Sequence, residues 1–585
     1  MPKIPQEKKQ YTESWAEAAN AKPKTGGLSA KLKGLETAEI ENTLPHIVIR
    51  ARAGTGKTST MIEGLRLLVE GETKLNPSEQ QAVIWEELLQ SQDTAKSFCM
   101  VAFNKEIAEE LKSRLPKRDN CSAMTLHSLG YKACIAHYGF PLDLDGDRSQ
   151  KIIAKLAGHE GPQAYSEYMQ RFGVTVNEIA SLVGYCKLNN EVAPSKSYLW
   201  DLSDTYGLDI DVTLDTELKV KAVLQESREK VNGVIDYNDQ IWLPVVNNLQ
   251  LTKYDILFTD ESQDLSHCQQ QLALRSGKRI VICGDEFQSC YAFAGSDARS
   301  YRNLVSVLKG TTAGCNEYPL TVSYRCSQAV IREAQKWVPD IQPCLTNPEG
   351  SVSNLNYEDL PNYSCPSCGK ARTSYTERGF EKCTTCERSW AMSYRAHVQD
   401  GDMIICRCNG PLVSQYFQFL KAGRKAFIRG RKDVGGSLIR TVKKISRRAK
   451  LPSDRESINS FKTMLEQWMR DETVKEAGKE KPNQLKLNLI DDKYNCLLVF
   501  AGQVNSVSEL VKKIESVFSD TTRVGIQLST IHQAKGLEAK RVFFLIPKGA
   551  ECPAPWARTE DEKIQERNLR YIGVTRSQLD LIYVT

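Results

Sequence analysis

Lys57 and Thr58 close the stretch Ile47-Val48-Ile49-Arg50-Ala51-Arg52-Ala53-Gly54-Thr55-Gly56-Lys57-Thr58, which reads as an apolar strand, a glycine-containing loop and a helix start. That spacing binds phosphate. The loop Ala53-Gly54-Thr55-Gly56 lets successive backbone N–H groups turn inward, and the helix start adds partial positive charge. Lys57 is placed to reach the β- and γ-phosphates and the Thr58 hydroxyl to hold Mg²⁺. The general pattern has Gly five residues before Gly56, where this chain has Ala51.

About 200 residues on, Tyr254-Asp255-Ile256-Leu257-Phe258-Thr259-Asp260-Glu261-Ser262-Gln263-Asp264 is an apolar strand ending in acids. Phosphoryl transfer to water needs a metal to gather phosphate charge and a base to orient the water. Asp260 at the strand end suits the Mg²⁺ shell, and Glu261 suits the base.

Cys365-Pro366-Ser367-Cys368 and Cys383-Thr384-Thr385-Cys386 are two Cys-x-x-Cys knuckles separated by fourteen residues. Cys365, Cys368, Cys383 and Cys386 have the spacing of a tetrahedral Zn²⁺ site, where metal replaces a core in a segment too small to build one. Whether such a ribbon also binds nucleic acid is open. Cys406 and Cys408, in a strand-like stretch, read as packed thiols.

These residues need a parallel sheet to hold them. Strand signals at Ile47–Ile49, Phe98–Phe103, Ile256–Phe258 and Ile280–Ile282 alternate with amphipathic helices, the mark of an α/β fold. The chain divides into a polar arm (1–45) and a first α/β lobe in two parts (46–145 and 236–317) split by a helical insertion (146–235). A second lobe follows in two parts (318–432 and 520–585), carrying the ribbon (about 361–393) and a basic, then helical, insertion (433–519). The 585 residues suit several domains, and 41% hydrophobic with 26% charged is ordinary globular composition. The net charge of +6 proves no partner, but residues 421–450 hold twelve Lys or Arg against the one acid Asp433, a candidate phosphate contact. No apolar run approaches membrane-spanning length, no secretory leader opens the chain, and the scattered eighteen Cys suit a reducing compartment.

With the motifs in this order, the chain resembles the UvrD/Rep/PcrA family of superfamily-1 helicases. Asp260-Glu261-Ser262-Gln263-Asp264 resembles its second motif. Ala102–Ala108, Thr125-Leu126-His127-Ser128, Asp236-Tyr237-Asn238-Asp239, Gly284–Gly295, Tyr324-Arg325-Cys326-Ser327, Leu528–Glu538 and Glu566–Arg576 resemble the others in family order. The likeness runs from about 47 to 585, and the family also uses Ala at the place of Ala51.

The resemblance implies two RecA-like lobes with ATP between them. It implies that Gln288 senses the γ-phosphate, that Arg325 and Arg576 reach it as arginine fingers, and that Glu538 contacts the ribose. It places a nucleic-acid strand over Phe103, Asn104, Thr125, His127, Tyr291, Phe293, Thr530 and His532, where aromatic rings stack on any base. The implied activity is ATP-fuelled 3′ to 5′ translocation on single-stranded DNA with separation of duplex at junctions. A protein-stripping translocase and a non-catalytic nucleic-acid-binding scaffold are the alternatives. A nuclease fusion is disfavoured, since the chain stops at Thr585 directly after the last motif. Replication or repair proteins are the expected partners, in a monomer or weak dimer inside a bacterial or virus-infected cell. One departure stands out: the family's Gln-bearing adenine helix lies before the phosphate loop, whereas here Asn76-Pro77-Ser78-Glu79-Gln80-Gln81 lies after it. Either Gln80 or Gln81 folds back to the base, or the likeness reflects helix capping. The insertion 433–519 is also short for the family's mobile subdomain.

Overall fold

The computed structural model describes residues 44–585 except 103, 140–141, 207, 209, 291–299, 356–373, 376–379, 383–388, 392–393, 430–431, 449–456, 479–483, 520–523, 556 and 558.

In the first lobe, β1 (His46–Ala51), α1 (Lys57–Glu70), α2 (Glu79–Leu89), β2 (Phe98–Ala102), α3 (Lys105–Arg114), β3 (Cys121–Thr125) and α4 (Leu126–Tyr138) precede the insertion. That insertion is α5 (Arg148–Leu156), α6 (Pro162–Leu188), α7 (Lys196–Thr205) and α8 (Leu214–Glu229). The lobe resumes with β4 (Tyr254–Thr259), β5 (Gly277–Gly284) and β6 (Cys315–Leu320). The six strands form one parallel sheet in the order β3-β2-β4-β5-β1-β6. Its four inner strands are largely apolar runs because helices cover both faces. Alternation then sorts the side chains: Ile47, Ile49, Met100, Phe258 and Val281 pack with Met61, Leu65 and Trp85 on one face. Val48, Val101, Leu257, Ile280 and Ile282 pack with Leu129 and the insertion on the other.

β6 pairs with β1 over the full length Cys315–Leu320, so the first lobe extends past 317 and the chain crosses to the second lobe after Leu320. Cys-Asn-Glu-Tyr-Pro-Leu is a weak strand pattern, and Pro319 is tolerated because β6 lies at the sheet edge.

The first insertion is fixed to its lobe by a buried ionic cluster. Lys187 on α6 lies 2.6 Å from Asp236 and 2.7 Å from Asp239, and Arg148 on α5 lies 2.5 Å from Asp239.

The second lobe comprises α9 (Gln328–Ala334), β7 (Ser351–Leu355), β8 (Met403–Cys406), β9 (Ala426–Arg429), then α10 (Lys432–Arg448), α11 (Ser457–Ala477), α12 (Gln484–Ala501) and α13 (Val507–Ser519), and finally β10 (Ile526–Thr530), β11 (Ala539–Leu545), α14 (Glu560–Val574) and β12 (Ser577–Val584). Its sheet is also parallel, in the order β7-β12-β11-β8-β10-β9. The helical insertion shares one core with it: Leu438, Val442, Phe461, Phe500 and Ile514 join Ile404, Leu528 and Phe543. Each lobe is thus a parallel sheet between helical layers.

Three short antiparallel strands, Ser374–Tyr375, Phe380–Lys382 and Ser389–Ala391, occupy the Cys-rich segment. Cys365, Cys368, Cys383 and Cys386 themselves lie outside the described residues. Cys406 is fully buried and Cys408 half-buried, and burial pushes both thiols up, Cys408 to about 12. Among the described residues no helix is long and apolar enough to cross a membrane, and no group of three or more His, Cys, Asp or Glu could hold a metal ion.

Candidate nucleotide site between the lobes

The carboxyl ends of β1, β4 and β5 lie side by side in the first sheet, which is where parallel α/β sheets bind ligands. The loop after β1 turns on Gly54 (φ 72°) and Gly56 (φ 79°), both left-handed, and Gly56 opens α1 with no side chain capping it. The first amides of α1 therefore remain for an anion. Gly54 is also needed for approach: a Cβ there would stand 2.5 Å from Arg325 Cβ and 2.7 Å from Ser323 Oγ of the second lobe.

Lys57 Nζ lies 2.8 Å from Glu261 Oε1. Burial works against the Lys57 charge, yet Glu261 and then Asp260 raise its pKa. Burial also works against ionised Glu261, but Lys57 first and Lys535 next hold its carboxyl well below the usual range. Asp260 moves the other way, raised by burial and by the neighbouring Glu261 charge. The Thr58 hydroxyl donates to the Asp260 carboxylate. This part-buried hydroxyl–carboxylate pair, beside uncapped amides, is a hard-oxygen set that fits Mg²⁺ with a phosphate. Glu261 has left-handed backbone (φ 49°), a strained conformation for a side-chain-bearing residue and one that clusters at functional sites.

Gln288 donates to Asp285 at 2.7 Å and is buried. Tyr571 of the second lobe joins this group, its hydroxyl accepting from the Ala53 amide at 2.9 Å and lying 3.3 Å from Asp285. Arg325 ion-pairs with Glu538 at 2.5 Å, so Glu538 stands beside an arginine of its own lobe. Arg576 is buried and donates to the Ile572 and Leu537 carbonyls. Its pKa is lowered to about 10 by burial and then by the Arg325 charge, and it also feels Glu261. The structure thus gathers Lys57, Thr58, Asp260, Glu261, Gln288, Arg325 and Arg576 at one seam. Motif matching named Tyr571, Asp264 and Lys535 only as parts of longer segments, and their cross-lobe bonds depend on tertiary placement.

Gln80 and Gln81 are both engaged. The Gln80 amide accepts from the Thr321 backbone at 2.9 Å and donates to its hydroxyl at 3.0 Å. Gln81 completes a capping box with Ser78 and donates to Thr60 at 2.9 Å. Of the two alternatives open for this segment, helix capping is the one the bonds of Gln81 describe.

The candidate strand-contacting residues sit at the carboxyl ends of strands. Asn104 caps α3, Thr125 caps α4, and Thr530 caps the short helix Ile531–Ala534, each accepting a backbone N–H. His127 is half-buried, and burial lowers its pKa. His532 is half-buried in the second lobe. Phe103, Tyr291 and Phe293 lie outside the described residues. The basic run is divided: Arg424 donates to the Arg395 and Val398 carbonyls, a structural duty. Arg440 and Lys444 of α10 instead line a cleft between the two insertions.

The UvrD/REP helicase N-terminal domain family matches residues 35–307, and the UvrD-like helicase C-terminal domain family matches 413–585. F-box DNA helicase protein 1 of Schizosaccharomyces pombe is 24% identical over 341 residues, 53% of this chain and 33% of that protein. F-box DNA helicase 1 of Gallus gallus is 22% identical over 293 residues, 48% of this chain and 24% of that protein. The chain therefore spans about a third of one relative and a quarter of the other. The crystal structure of an arterivirus nonstructural protein 10 (helicase) aligns with 92% of this chain and 59% of that chain at 10% identity, with a TM-score of 0.29, too low to bear on the fold. Together the two domain matches take in more than half of the sequence, in the order of the two lobes that form the seam: the chain belongs to the UvrD/REP helicase family.

Proposed function

We propose that the chain is an ATP-driven DNA helicase that translocates 3′ to 5′ on single-stranded DNA and separates duplex at junctions. The observation that carries this reading is the seam: a phosphate loop and an Asp-Glu pair on one lobe, with Arg325 of the other lobe packed against Gly54. Thr58 and Asp260 would hold Mg²⁺, which when bound neutralises phosphate charge. Glu261, ionised at neutral pH, orients the attacking water and takes its proton. Arg325 and Arg576 place positive charge where it develops on the transferred group. Asn104, Thr125 and Thr530 sit at helix starts on both lobes, so a strand lying across them changes its grip when the lobes move.

The test is ATP hydrolysis measured with no polymer, single-stranded DNA, duplex DNA and RNA, followed by unwinding of duplexes tailed at either end. The reading expects stimulation by single-stranded DNA and unwinding from a 3′ tail. Stimulation without strand separation favours a translocase, and no stimulation by any polymer ends the proposal. Zinc at Cys365, Cys368, Cys383 and Cys386 is part of the same proposal, supported by the knuckle spacing. Metal analysis should find one zinc per chain, lost when Cys365 and Cys368 become Ser.

A further inference from the structure

Arg52 is an arginine inside a phosphate loop, and a first reading would give it to the phosphate. Its fork is committed elsewhere. Nε and Nη2 donate to the two carboxylate oxygens of Asp340 at 2.7 and 2.6 Å, a bidentate pair that joins the lobes. Asp340 lies in the turn after α9, a helix whose Val330, Ile331 and Ala334 belong to the second lobe's core. It falls in none of the motifs read from the sequence.

The remaining neighbours of Arg52 show what the pair controls. Nη1 donates to the Ala51 carbonyl at 3.0 Å, the guanidinium lies 4.8 Å from the Phe287 ring centre, and Nη1 is 3.7 Å from Asp285 Oδ1. Asp285 also receives Gln288 and Tyr571. A guanidinium buried this deeply needs a nearby anion, and two are in reach. With Asp340 present, the bidentate geometry goes to the second lobe and Asp285 keeps its bond to Gln288. Without it, Asp285 is the remaining anion and is drawn toward Arg52, away from Gln288.

We propose that Asp340 is a positioning residue for ATP hydrolysis: by tethering Arg52 it holds the second lobe against the phosphate loop and leaves Asp285 to orient Gln288. The Asp340 side chain is 50% exposed while that of Arg52 is 7% exposed, so the tether sits at the rim of the seam and can be broken without opening a core. The kinetic part of this inference rests on the hydrolysis reading above; the structural part does not.

The test uses the full chain with Asp340→Asn and Asp340→Glu. The Tyr324 amide donates to the Gly54 carbonyl at 2.9 Å across the lobes, so hydrogen exchange in the segment 320–326 reports opening of the seam. Without nucleotide, Asp340→Asn is expected to speed exchange there by roughly fivefold, with exchange in both sheets unchanged. Its kcat for ATP should fall by about fivefold with KM changed less, because Gln288 loses its partner rather than the phosphate loop its shape. Asp340→Glu should restore both values. Wild-type exchange at 320–326 in Asp340→Asn, exchange raised throughout the protein, or no recovery with Glu overturns the proposal. If the chain hydrolyses no ATP yet shows the local exchange change, the tether stands and the motor reading falls. If it unwinds DNA with no such change, only the tether falls.

Discussion

Lys535 of the second lobe holds both carboxylate oxygens of Asp264 of the first, at 2.8 and 2.5 Å, and donates to the Gln288 carbonyl at 2.6 Å. Burial pushes the Asp264 carboxyl up to about 6, against the pull of Lys535 and with the Glu261 charge adding. One ammonium therefore pairs with a buried acid, Asp264, and adds its charge to the field that keeps Glu261 ionised. Lys535→Met should lower DNA-stimulated kcat by about tenfold or more, since it leaves the buried Asp264 without its partner at the seam and removes one of the two ammonium charges that act on Glu261. Steady-state kinetics check this, and an unchanged kcat would remove Lys535 from the machinery.

Glu261→Gln keeps the size of the side chain and loses the base. Hydrolysis should fall by about a hundredfold or more while nucleotide binding survives. Lys57→Ala should also abolish stimulated turnover. Fluorescent-nucleotide binding beside turnover separates the two effects, and wild-type turnover from either variant excludes that residue from the site.

Asn104→Asp separates capping from strand contact. Asp caps a helix as well as Asn, so α3 should keep its stability, whereas a carboxylate repels phosphates. Single-stranded DNA should bind several-fold more weakly at low salt with no change in melting temperature. Equal affinity would place the strand elsewhere.

His46 on β1 is buried, accepts from the Ile280 amide at 3.1 Å, and has its pKa lowered to about 4 by burial and then by Arg279. The unfolded chain takes up a proton near 6.5 that the folded protein refuses until about 4. Stability from this site is complete above 6.5 and is lost as pH falls toward 4, a change of about 3 kcal/mol. His46→Gln should shrink the difference in denaturant midpoint between pH 5 and pH 7.5. An unchanged difference would show that His46 does not set it.

Gly130 on α4 faces the helix Asp239–Val246 so closely that a Cβ would stand 1.9 Å from the Gln240 carbonyl oxygen. Gly130→Ala should destabilise the first lobe by about 3 kcal/mol, because backbone rather than a flexible side chain must move. A melting curve equal to wild type would contradict this packing.

The α/β class was legible because each sheet strand buried on both faces is written as an apolar run between amphipathic helices. β6 was less so: Cys315–Leu320 carries Asn, Glu and Pro, and its place in the first sheet follows from pairing with β1. The phosphate loop and Asp260-Glu261 could be read because a strand end and the turn after it supply each group locally. Gln80 and Gln81 show the converse. Their sequence resembles a base-recognition element, but their bonds go to Thr321 and Thr60, which only the folded chain brings near.

What the sequence by itself determined is the set of groups encoded within a few residues of one another: Lys57 with Thr58, Asp260 with Glu261, and the strands that present them. What only the tertiary structure decided is which distant polar groups meet, as Lys535 does with Asp264, Arg52 with Asp340 and the Tyr571 hydroxyl with the Ala53 amide. Local periodicity records how much of a segment is buried, whereas an ion pair between residues hundreds of positions apart depends on how two lobes dock, and no short stretch of sequence carries that.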